Sequence, residues 1–263
     1  MSSYVLKIIG VITMLIDHTG DAIVGHFSYL NLIGRIAFPI FAYQAVLGYM
    51  HTKDLKKHLY KLFIFALISQ APFALFMSLF TSTFYLNIFF TLLLGLLALF
   101  FYDKSKNKVL GFFIVILFSI LGQIIKVDYQ AFGILIIFVF YFFEHEFEII
   151  FKNSKMLKYR KLLMIFSATL LCFGRYIPDI IKFPNQIGHY LLCGLFTSFA
   201  LIFILLYNKK EGPKAKYFFY FFYPLHLLVL YFMEMGTVRI SIFKLKSDIP
   251  IGLTVPCLFP SQQ

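Results

Sequence analysis

The chain has 263 residues, of which 60% are apolar and only 14% are charged, and its formal net charge is +12. A soluble domain carries about 25% charged residues, so this composition excludes a soluble protein and predicts an all-α, polytopic membrane bundle. Lys-rich cytoplasmic loops are the usual source of such positive charge in a membrane protein, so no nucleic-acid partner is expected.

Nine hydrophobic segments follow one another along the chain, separated mostly by short connections. The predicted spans are 4–25, 32–50, 59–80, 85–102, 109–126, 129–143, 160–181, 186–207 and 217–235. The sixth is short, so it either crosses at a tilt or is re-entrant, in which case the bundle could hold ten segments. Residues 1–235 are therefore predicted to form one transmembrane domain, followed by a tail over 236–263.

Basic residues are concentrated in alternate connections between these spans. The four basic connections contain Lys53, Lys56, Lys57, Lys61, Lys104, Lys106, Lys108, Lys152, Lys155, Lys158, Arg160, Lys161, Lys209, Lys210, Lys214 and Lys216. The other connections hold almost none. By the positive-inside rule, this alternation predicts a multi-pass protein of the cell membrane with a cytoplasmic N-terminus and an outward-facing C-terminal tail.

The first span carries ionisable groups in its outer half, in the stretch "ITMLIDHTGD". On an α-helix, Asp21 shares a face with both Asp17 and His18. A charged side chain near the bilayer centre costs about 2.5–3.5 kcal/mol and often marks a functional site. Histidine accepts protons near neutral pH, and a neighbouring aspartate would orient its ring. His18 is therefore predicted to act as a base.

Further polar residues are expected near the same leaflet or in the middle of the bundle. They are Arg35, Gln70, Asn87, Arg175, His189 and His226. Their convergence from distant helices predicts a polar cavity that opens outward. Two of them have simpler explanations: Arg175 could pair with Asp179 at i, i+4, and His226 could be a packed histidine bonded to its own helix. No Cys or His spacing typical of zinc is present, so no metal is expected.

Four blocks in this order resemble the TraX family, which is named for the conjugation protein that acetylates the N-terminus of pilin subunits. The blocks are "LKIIGVITMLIDHTGD", "LNLIGRIAFPIFAYQAVLGYMHT", "LFIFALISQAPF" and "KYFFYFFYPLHLLVLY". They cover the first three spans and the last one. Between them, the match is mainly in hydropathy and in "LNIFFTLLLGLLAL".

The family is in turn distantly similar to membrane acyltransferases of the acyltransferase-three and heparan-glucosaminide acetyltransferase types. The resemblance implies that His18 is catalytic together with Asp17 and that Arg35 is its partner arginine. It also implies cytoplasmic acetyl-CoA, or another acyl-CoA, as cosubstrate. Lysines 53, 56, 57 and 61 could hold the CoA phosphates, although topology alone also explains them.

The expected function is therefore an integral membrane acyltransferase. Its acceptor would be an amine or hydroxyl of a secreted or membrane-associated molecule, such as a pilin-like peptide or a glycan. His18 could act as a base or carry the acyl group itself, and Arg35, Gln70 or another polar residue could stabilise the oxyanion. A proton-coupled transporter and a non-catalytic assembly factor remain alternatives, and a homo-oligomer remains open.

Overall fold

The computed structural model describes residues 1–24, 29–152, 154–213 and 216–247. This part of the chain consists of helices joined by turns and loops, with an isolated bridge between Leu86 and Val127. The α-helices are α1 (Ser3–Thr19), α2 (Tyr29–Gly34), α3 (Ala37–His51), α4 (Leu55–Met77), α5 (Ile88–Lys104), α6 (Lys108–Ile124), α7 (Gln130–Tyr141), α8 (Phe147–Ile150), α9 (Arg160–Gly174), α10 (Ile177–Lys182), α11 (Ile187–Leu205) and α12 (Lys216–Ser247). Two π-helical segments, Gly20–Val24 and Phe142–Glu146, continue α1 and α7.

Each predicted span overlaps helix over most of its described residues, which confirms a helical membrane protein. Within the described ranges, five helical segments are long and apolar enough to cross a membrane: Tyr29–His51, Leu55–Met77, Lys155–Lys182, Pro184–Leu205 and Phe218–Gly236. The predicted count of nine goes beyond this finding. Of the other segments, α5 and α6 have 17 residues each, short of the usual length of about 20, whereas α1 and α7 reach that length only with the helical segments that continue them.

The short sixth segment is the central element of the bundle. Helical backbone runs without a break from Gln130 through the π segment to Ile150, so the described backbone is not a re-entrant loop. It packs against α3, α5, α6 and α9. Glycine allows the closest of these approaches, because a Cβ atom on Gly95 of α5 would lie only 2.4 Å from Ile137 Cδ1 of α7.

Several boundaries differ from the sequence prediction. The second span is interrupted after Gly34, where Arg35 forms a turn, and the seventh is interrupted in the same way at Arg175. The last helix continues past residue 235 to Ser247, and residues 248–263 of the predicted tail lie outside the described residues. With 32 residues, α12 is about 48 Å long at about 1.5 Å per residue, which exceeds a hydrocarbon core of about 30 Å.

The basic connections lie at one end of the bundle, where polar contacts join the helix ends. The hydroxyls of Tyr49 and Tyr141 each donate to Asp103 at 2.5 Å, joining the ends of α3, α5 and α7. The chain start lies at the same end, where the Met1 amino group donates to the Leu206 carbonyl at 2.5 Å. The alternation predicted from the sequence therefore corresponds to one physical end of the molecule.

Arg160 forms the best-shielded ion pair of this end. Its guanidinium lies 3.3 Å from Glu144 Oε2, and the two side chains are only 15% and 14% exposed. It also donates to the Phe143 carbonyl at 3.2 Å, and Glu144 accepts a hydrogen bond from Tyr43 at 3.0 Å. These contacts fasten the start of α9 to the π segment that follows α7.

Replacing Arg160 with Met should leave the shielded Glu144 carboxylate without its ionic partner. We expect a loss of about 3–5 kcal/mol of unfolding free energy, which is typical when one member of a buried pair is removed. Thermal unfolding of the purified protein in detergent measures the change. Lys161→Met, at the exposed neighbouring position, is the control and should change stability by less than about 0.5 kcal/mol. Adding Glu144→Gln to Arg160→Met should recover part of the loss. Equal unfolding midpoints for Arg160→Met and Lys161→Met would contradict the prediction.

Candidate functional site

The predicted acidic and basic groups of the first span lie where α1 ends. Asp17 and His18 occupy its last turn, and Asp21 lies in the π-helical segment that begins at Gly20. A π turn closes i→i+5 hydrogen bonds and is frequent at functional sites. It also changes the angular step between residues, so Asp21 no longer holds the α-helical position above His18 that the i, i+3 spacing predicts.

His18 is paired with a histidine from the other end of the chain. Its Nδ1 lies 2.8 Å from Nε2 of His226 in α12, and the two ring planes are nearly parallel, at 14°, with centroids 5.0 Å apart. His226 is 5% exposed, whereas His18 is half-buried. The expectation that an aspartate orients the His18 ring is thus corrected: His226 makes that contact. Asp21 instead accepts a hydrogen bond from Asn31.

His226 also bonds to its own helix, as the simpler sequence interpretation expected. Its Nδ1 lies 2.8 Å from the carbonyl oxygen of Phe222, and its ring stacks on the Phe222 ring at 4.9 Å. The Phe76 ring of α4 lies 5.3 Å from the His18 ring. The histidine pair is therefore enclosed by aromatic side chains from α4 and α12.

The two aspartates of α1 share an amide donor that sequence reasoning missed. Asn31 Nδ2 of α2 lies 3.1 Å from Asp17 Oδ1 and 2.8 Å from Asp21 Oδ1. Asn31 and Asp17 are both buried, and the amide holds the two carboxylates between α1 and α2. The available signal was the i, i+4 spacing of Asn31 and Arg35, which puts two polar residues on one face of an apolar helix.

Arg35 lies at the turn between α2 and α3, close to this acidic pair. Its Nε atom is buried and has no hydrogen-bond partner among the described residues. It is near enough to His18 and Asp17 to act on both electrostatically. A buried, unpaired donor is costly, so this N–H is available to a polar group that enters the site.

Arg175 does not pair with Asp179. Its guanidinium lies over the rings of Tyr129 at 4.6 Å, Phe132 at 5.3 Å and Tyr176 at 5.6 Å, a cation–π arrangement. Within the described part of the chain no ion pair joins it to Asp179, which is exposed. The i, i+4 pairing is overridden because the helix breaks at Arg175 and α10 begins anew at Ile177.

A strained loop between α6 and α7, which was not predicted from the sequence, supplies one of these rings. Tyr129 and Gln130 have φ values of 61° and 46°, in the left-handed region that side chains rarely adopt. Tyr129 stacks on Phe38 of α3 with centroids 3.8 Å apart. The neighbouring Asp128 carbonyl accepts a hydrogen bond from Thr91 of α5, which fastens the loop.

Gln70 and Asn87 form a structural link rather than an open pair of donors. Asn87 Nδ2 donates to the Ala66 carbonyl at 2.7 Å and to Gln70 Oε1 at 3.0 Å, and its own Oδ1 caps α5. Gln70 Nε2 donates to the Tyr85 carbonyl at 2.9 Å. Both amide hydrogens of Asn87 are thereby engaged, which leaves it no donor for an oxyanion.

His189 lies in the first turn of α11, where Arg35 acts on it electrostatically. Its Nε2 is 3.4 Å from the sulfur of buried Cys193, and its ring contacts Tyr190 at 5.7 Å. Arg35 acts electrostatically on His18, Asp17 and His189, so these predicted residues lie in one region of the bundle. The His18 pair, the Asn31 carboxylates and Arg35 lie together, whereas Gln70 and Asn87 belong to the joint between α4 and α5.

A cavity of about 580 Å³ opens at the basic end of the bundle and extends toward the histidine pair. Its lining includes Met14 and Tyr223, which precede His18 and His226 by about one helical turn each. The volume falls within the range of about 300–1,000 Å³ typical of small-molecule sites. The outward-opening cavity predicted from the sequence stays a prediction; the cavity described here opens at the basic end.

The cavity mouth carries positive and titratable groups. Lys7, His51, His58 and Lys209 are among the residues that line it. Deeper inside, Gln44 accepts a hydrogen bond from Ser3 at 2.7 Å through Oε1, while its Nε2 is buried and has no hydrogen-bond partner among the described residues. The cavity therefore combines a basic entrance, an apolar wall and an amide donor that a ligand could engage.

A family model described as "TraX protein" matches residues 2–234. The chain belongs to the TraX family. It is also 26% identical over 244 residues to a protein of Dichelobacter nodosus described as "Probable fimbrial assembly protein FimC, serogroup H1", covering 87% of this chain and 94% of the relative. No solved structure matches the chain significantly.

The four lysines expected to hold phosphates lie at the basic end of this TraX-family chain but outside the cavity lining. Lys53 precedes α4, and lysines 56, 57 and 61 lie on its first two turns. Lys53, Lys56 and Lys57 are exposed and Lys61 is half-buried. The residues that line the entrance come instead from α1, α3, α4 and the stretch after α11, which sequence spacing alone could not bring together.

Gly34 allows α2 to approach the carboxylate cluster of α1, and a larger residue there should disturb it. A Cβ atom at this position would lie 2.1 Å from Asp17 Cβ and 2.3 Å from its Cγ. We expect Gly34→Ala to lower the unfolding free energy by about 1–3 kcal/mol through overpacking, measured by thermal unfolding in detergent. Gly48→Ala, where the nearest atom is 3.6 Å away, is the matched control; similar midpoints for both variants would refute the close approach.

Proposed function

We propose that this TraX-family protein is an integral membrane acyltransferase. It would move an acetyl or other short acyl group from cytoplasmic acyl-CoA to an amine or hydroxyl of a secreted or membrane-associated acceptor. The observation that supports this most directly is the placement of His18. Its ring is fixed by His226, and a cavity of about 580 Å³ ends about one helical turn from both residues.

The cavity has the chemistry that an acyl-CoA requires. CoA has a polyanionic head and a thin pantetheine arm that carries two amides before the thioester. Lys7 and Lys209 at the mouth would face the phosphates. The lysines at 53, 56, 57 and 61 would add to the same positive field. Gln44 Nε2, which has no partner in the described part of the chain, could donate to a pantetheine carbonyl.

The transfer step then uses groups already in place. The acceptor nitrogen or oxygen forms a bond to the thioester carbonyl carbon while His18 takes its proton. The oxyanion would be stabilised by the free N–H of Arg35. The carbon–sulfur bond then breaks, and the CoA thiolate recovers the proton from His18. In a ping-pong route, His18 itself would first carry the acyl group.

The membrane arrangement belongs to the same proposal. Nine crossings with a cytoplasmic N-terminus would put the basic end and the cavity mouth in the cytoplasm. Residues 1–235 would then form the transmembrane domain, and the region after it would lie outside. The acceptor, a peptide N-terminus or a glycan, would reach the site from the outer side, near Asp17 and Asp21. Association of two or more copies in the bilayer is compatible with this arrangement.

A second candidate function is a non-catalytic assembly factor for a surface appendage. The observation that favours it is the description of the Dichelobacter nodosus relative as a probable fimbrial assembly protein. That protein aligns along nearly its whole length with this chain. Under this candidate, His18 would be a structural residue and the cavity would hold lipid or water.

The purified protein in lipid nanodiscs, incubated with radiolabelled acetyl-CoA and a peptide amine acceptor, separates the two candidates. We expect His18→Ala to lower the rate of CoA release by about 10²–10⁴-fold, the usual contribution of a general base. Thr19→Ala, on the adjacent residue, is the control. If the wild type neither binds nor consumes any acyl-CoA, the assembly role takes precedence, and pilus assembly should then tolerate His18→Ala.

Filling the cavity should weaken acyl-CoA binding without changing the chemistry at His18. Gly48 lines the cavity and has no atom closer than 3.6 Å to an added Cβ, so Gly48→Leu would extend into the open space. We expect the KM for acetyl-CoA to rise at least about tenfold, corresponding to about 1.4 kcal/mol, with little change in kcat. Gly188→Leu, at a glycine outside the cavity lining with open space around it, should leave KM unchanged.

A further inference from the structure

The hydrogen bonds of the histidine pair determine which nitrogen atoms carry protons. A carbonyl oxygen can only accept, so Nδ1 of His226, 2.8 Å from the Phe222 carbonyl, must be the N–H donor. In a neutral imidazole the other nitrogen is an acceptor. Nε2 of His226 therefore carries a lone pair. The Nδ1–H group of His18, with its nitrogen 2.8 Å away, must donate to that lone pair.

These hydrogen bonds also determine the protonation state of Nε2 of His18. With Nδ1 protonated, neutral His18 has its lone pair on Nε2. No described residue forms a hydrogen bond with Nε2 of His18. The opposite arrangement would require His226 to carry a positive charge while 5% exposed inside the bundle, which is costly in a membrane interior. The Phe222 carbonyl, the His226 ring and the His18 ring thus form a chain of two hydrogen bonds, which leaves the lone pair on Nε2 of His18.

We propose that His226 is a positioning residue that holds neutral His18 as its Nδ1–H tautomer and so leaves Nε2 as the proton acceptor. Its catalytic consequence rests on the acyltransferase function proposed above. In the Ser-His-Asp arrangement a buried aspartate plays the corresponding part for its histidine. Here the acceptor is a neutral imidazole, which is itself fixed by the Phe222 carbonyl.

The surroundings explain why a neutral partner suits this position. The rings that pack on the pair are Phe76 from α4 and Phe222 and Tyr223 from α12, all of them uncharged. The cation Arg35 acts on His18 electrostatically. When His18 takes a proton at Nε2, its Nδ1–H bond to His226 persists, so the transient charge is shared with the neighbouring imidazole.

The tautomer can be measured without any assumption about the reaction. Protein labelled with ¹⁵N-histidine in nanodiscs would be studied by solid-state NMR, with signals assigned through His18→Ala and His226→Leu. We expect His18 and His226 both to show a protonated Nδ1 and an unprotonated Nε2. Finding Nε2 protonated on either ring would overturn the proposal, whether or not the protein turns over acyl-CoA.

Substitutions at His226 test the functional consequence. His226→Gln keeps an oxygen acceptor for the His18 Nδ1–H, whereas His226→Leu removes it. We expect His226→Leu to lower kcat at least about tenfold with an unchanged KM for acetyl-CoA, and His226→Gln to recover most of that loss. In His226→Leu the His18 signal should also shift toward a mixture of tautomers.

The controls distinguish the failure of this inference from the failure of the proposed function. A wild type without acyl-CoA turnover would reject the acyltransferase, while the ¹⁵N spectrum would still decide the tautomer. An active wild type whose kcat is unchanged by His226→Leu would reject the positioning role alone. If His226→Leu unfolds, thermal unfolding reports it, and the comparison of His226→Gln with wild type then decides: a His18 ring that keeps its Nδ1–H tautomer with near-normal kcat supports the role, and loss of that tautomer overturns it.

Discussion

The bundle depends on one constraint: lipid offers no hydrogen bonds, so each polar group at membrane depth must find its partner within the protein. Side-chain hydroxyls meet it locally, as Ser119 does by donating to the Val115 carbonyl one turn earlier. Amides meet it across helices, as Asn87 does by binding the Ala66 carbonyl of α4. The polar residues therefore specify which helices are neighbours, while the apolar surface determines only that the helices stay in the membrane.

The same constraint makes the exceptions informative. Buried donors without a partner in the described part of the chain include Arg35 Nε, Gln44 Nε2 and a guanidinium nitrogen of Arg175. An unsatisfied buried group costs about 1–3 kcal/mol, so a fold that keeps several of them maintains them at a cost to its stability. Gln44 lines the cavity and Arg35 lies by the histidine pair, which is where incoming polar groups would relieve that cost.

The fold could be predicted from the sequence more completely than the candidate site. Helical membrane segments follow from composition, and the basic connections indicate which ends meet. The sixth segment shows the limit: hydropathy treats α7 as a short span, yet its apolar residues face other helices rather than lipid. Hydropathy cannot tell these two surroundings apart. His18, Asp17 and Arg35 were identifiable because charge in an apolar run is conspicuous, whereas the His226 contact joins residues 208 positions apart.

That separation has a consequence for the order of events during synthesis. The chain emerges from its N-terminus first, so His18 enters the bilayer long before His226 exists. Until the last helix is inserted, the first one lacks the contact that fixes its ring, and the wall that Tyr223 contributes to the cavity is missing. A prematurely terminated chain would therefore carry all the residues of its first helix in an incomplete site. Only a chain that includes α12 can therefore form the complete site.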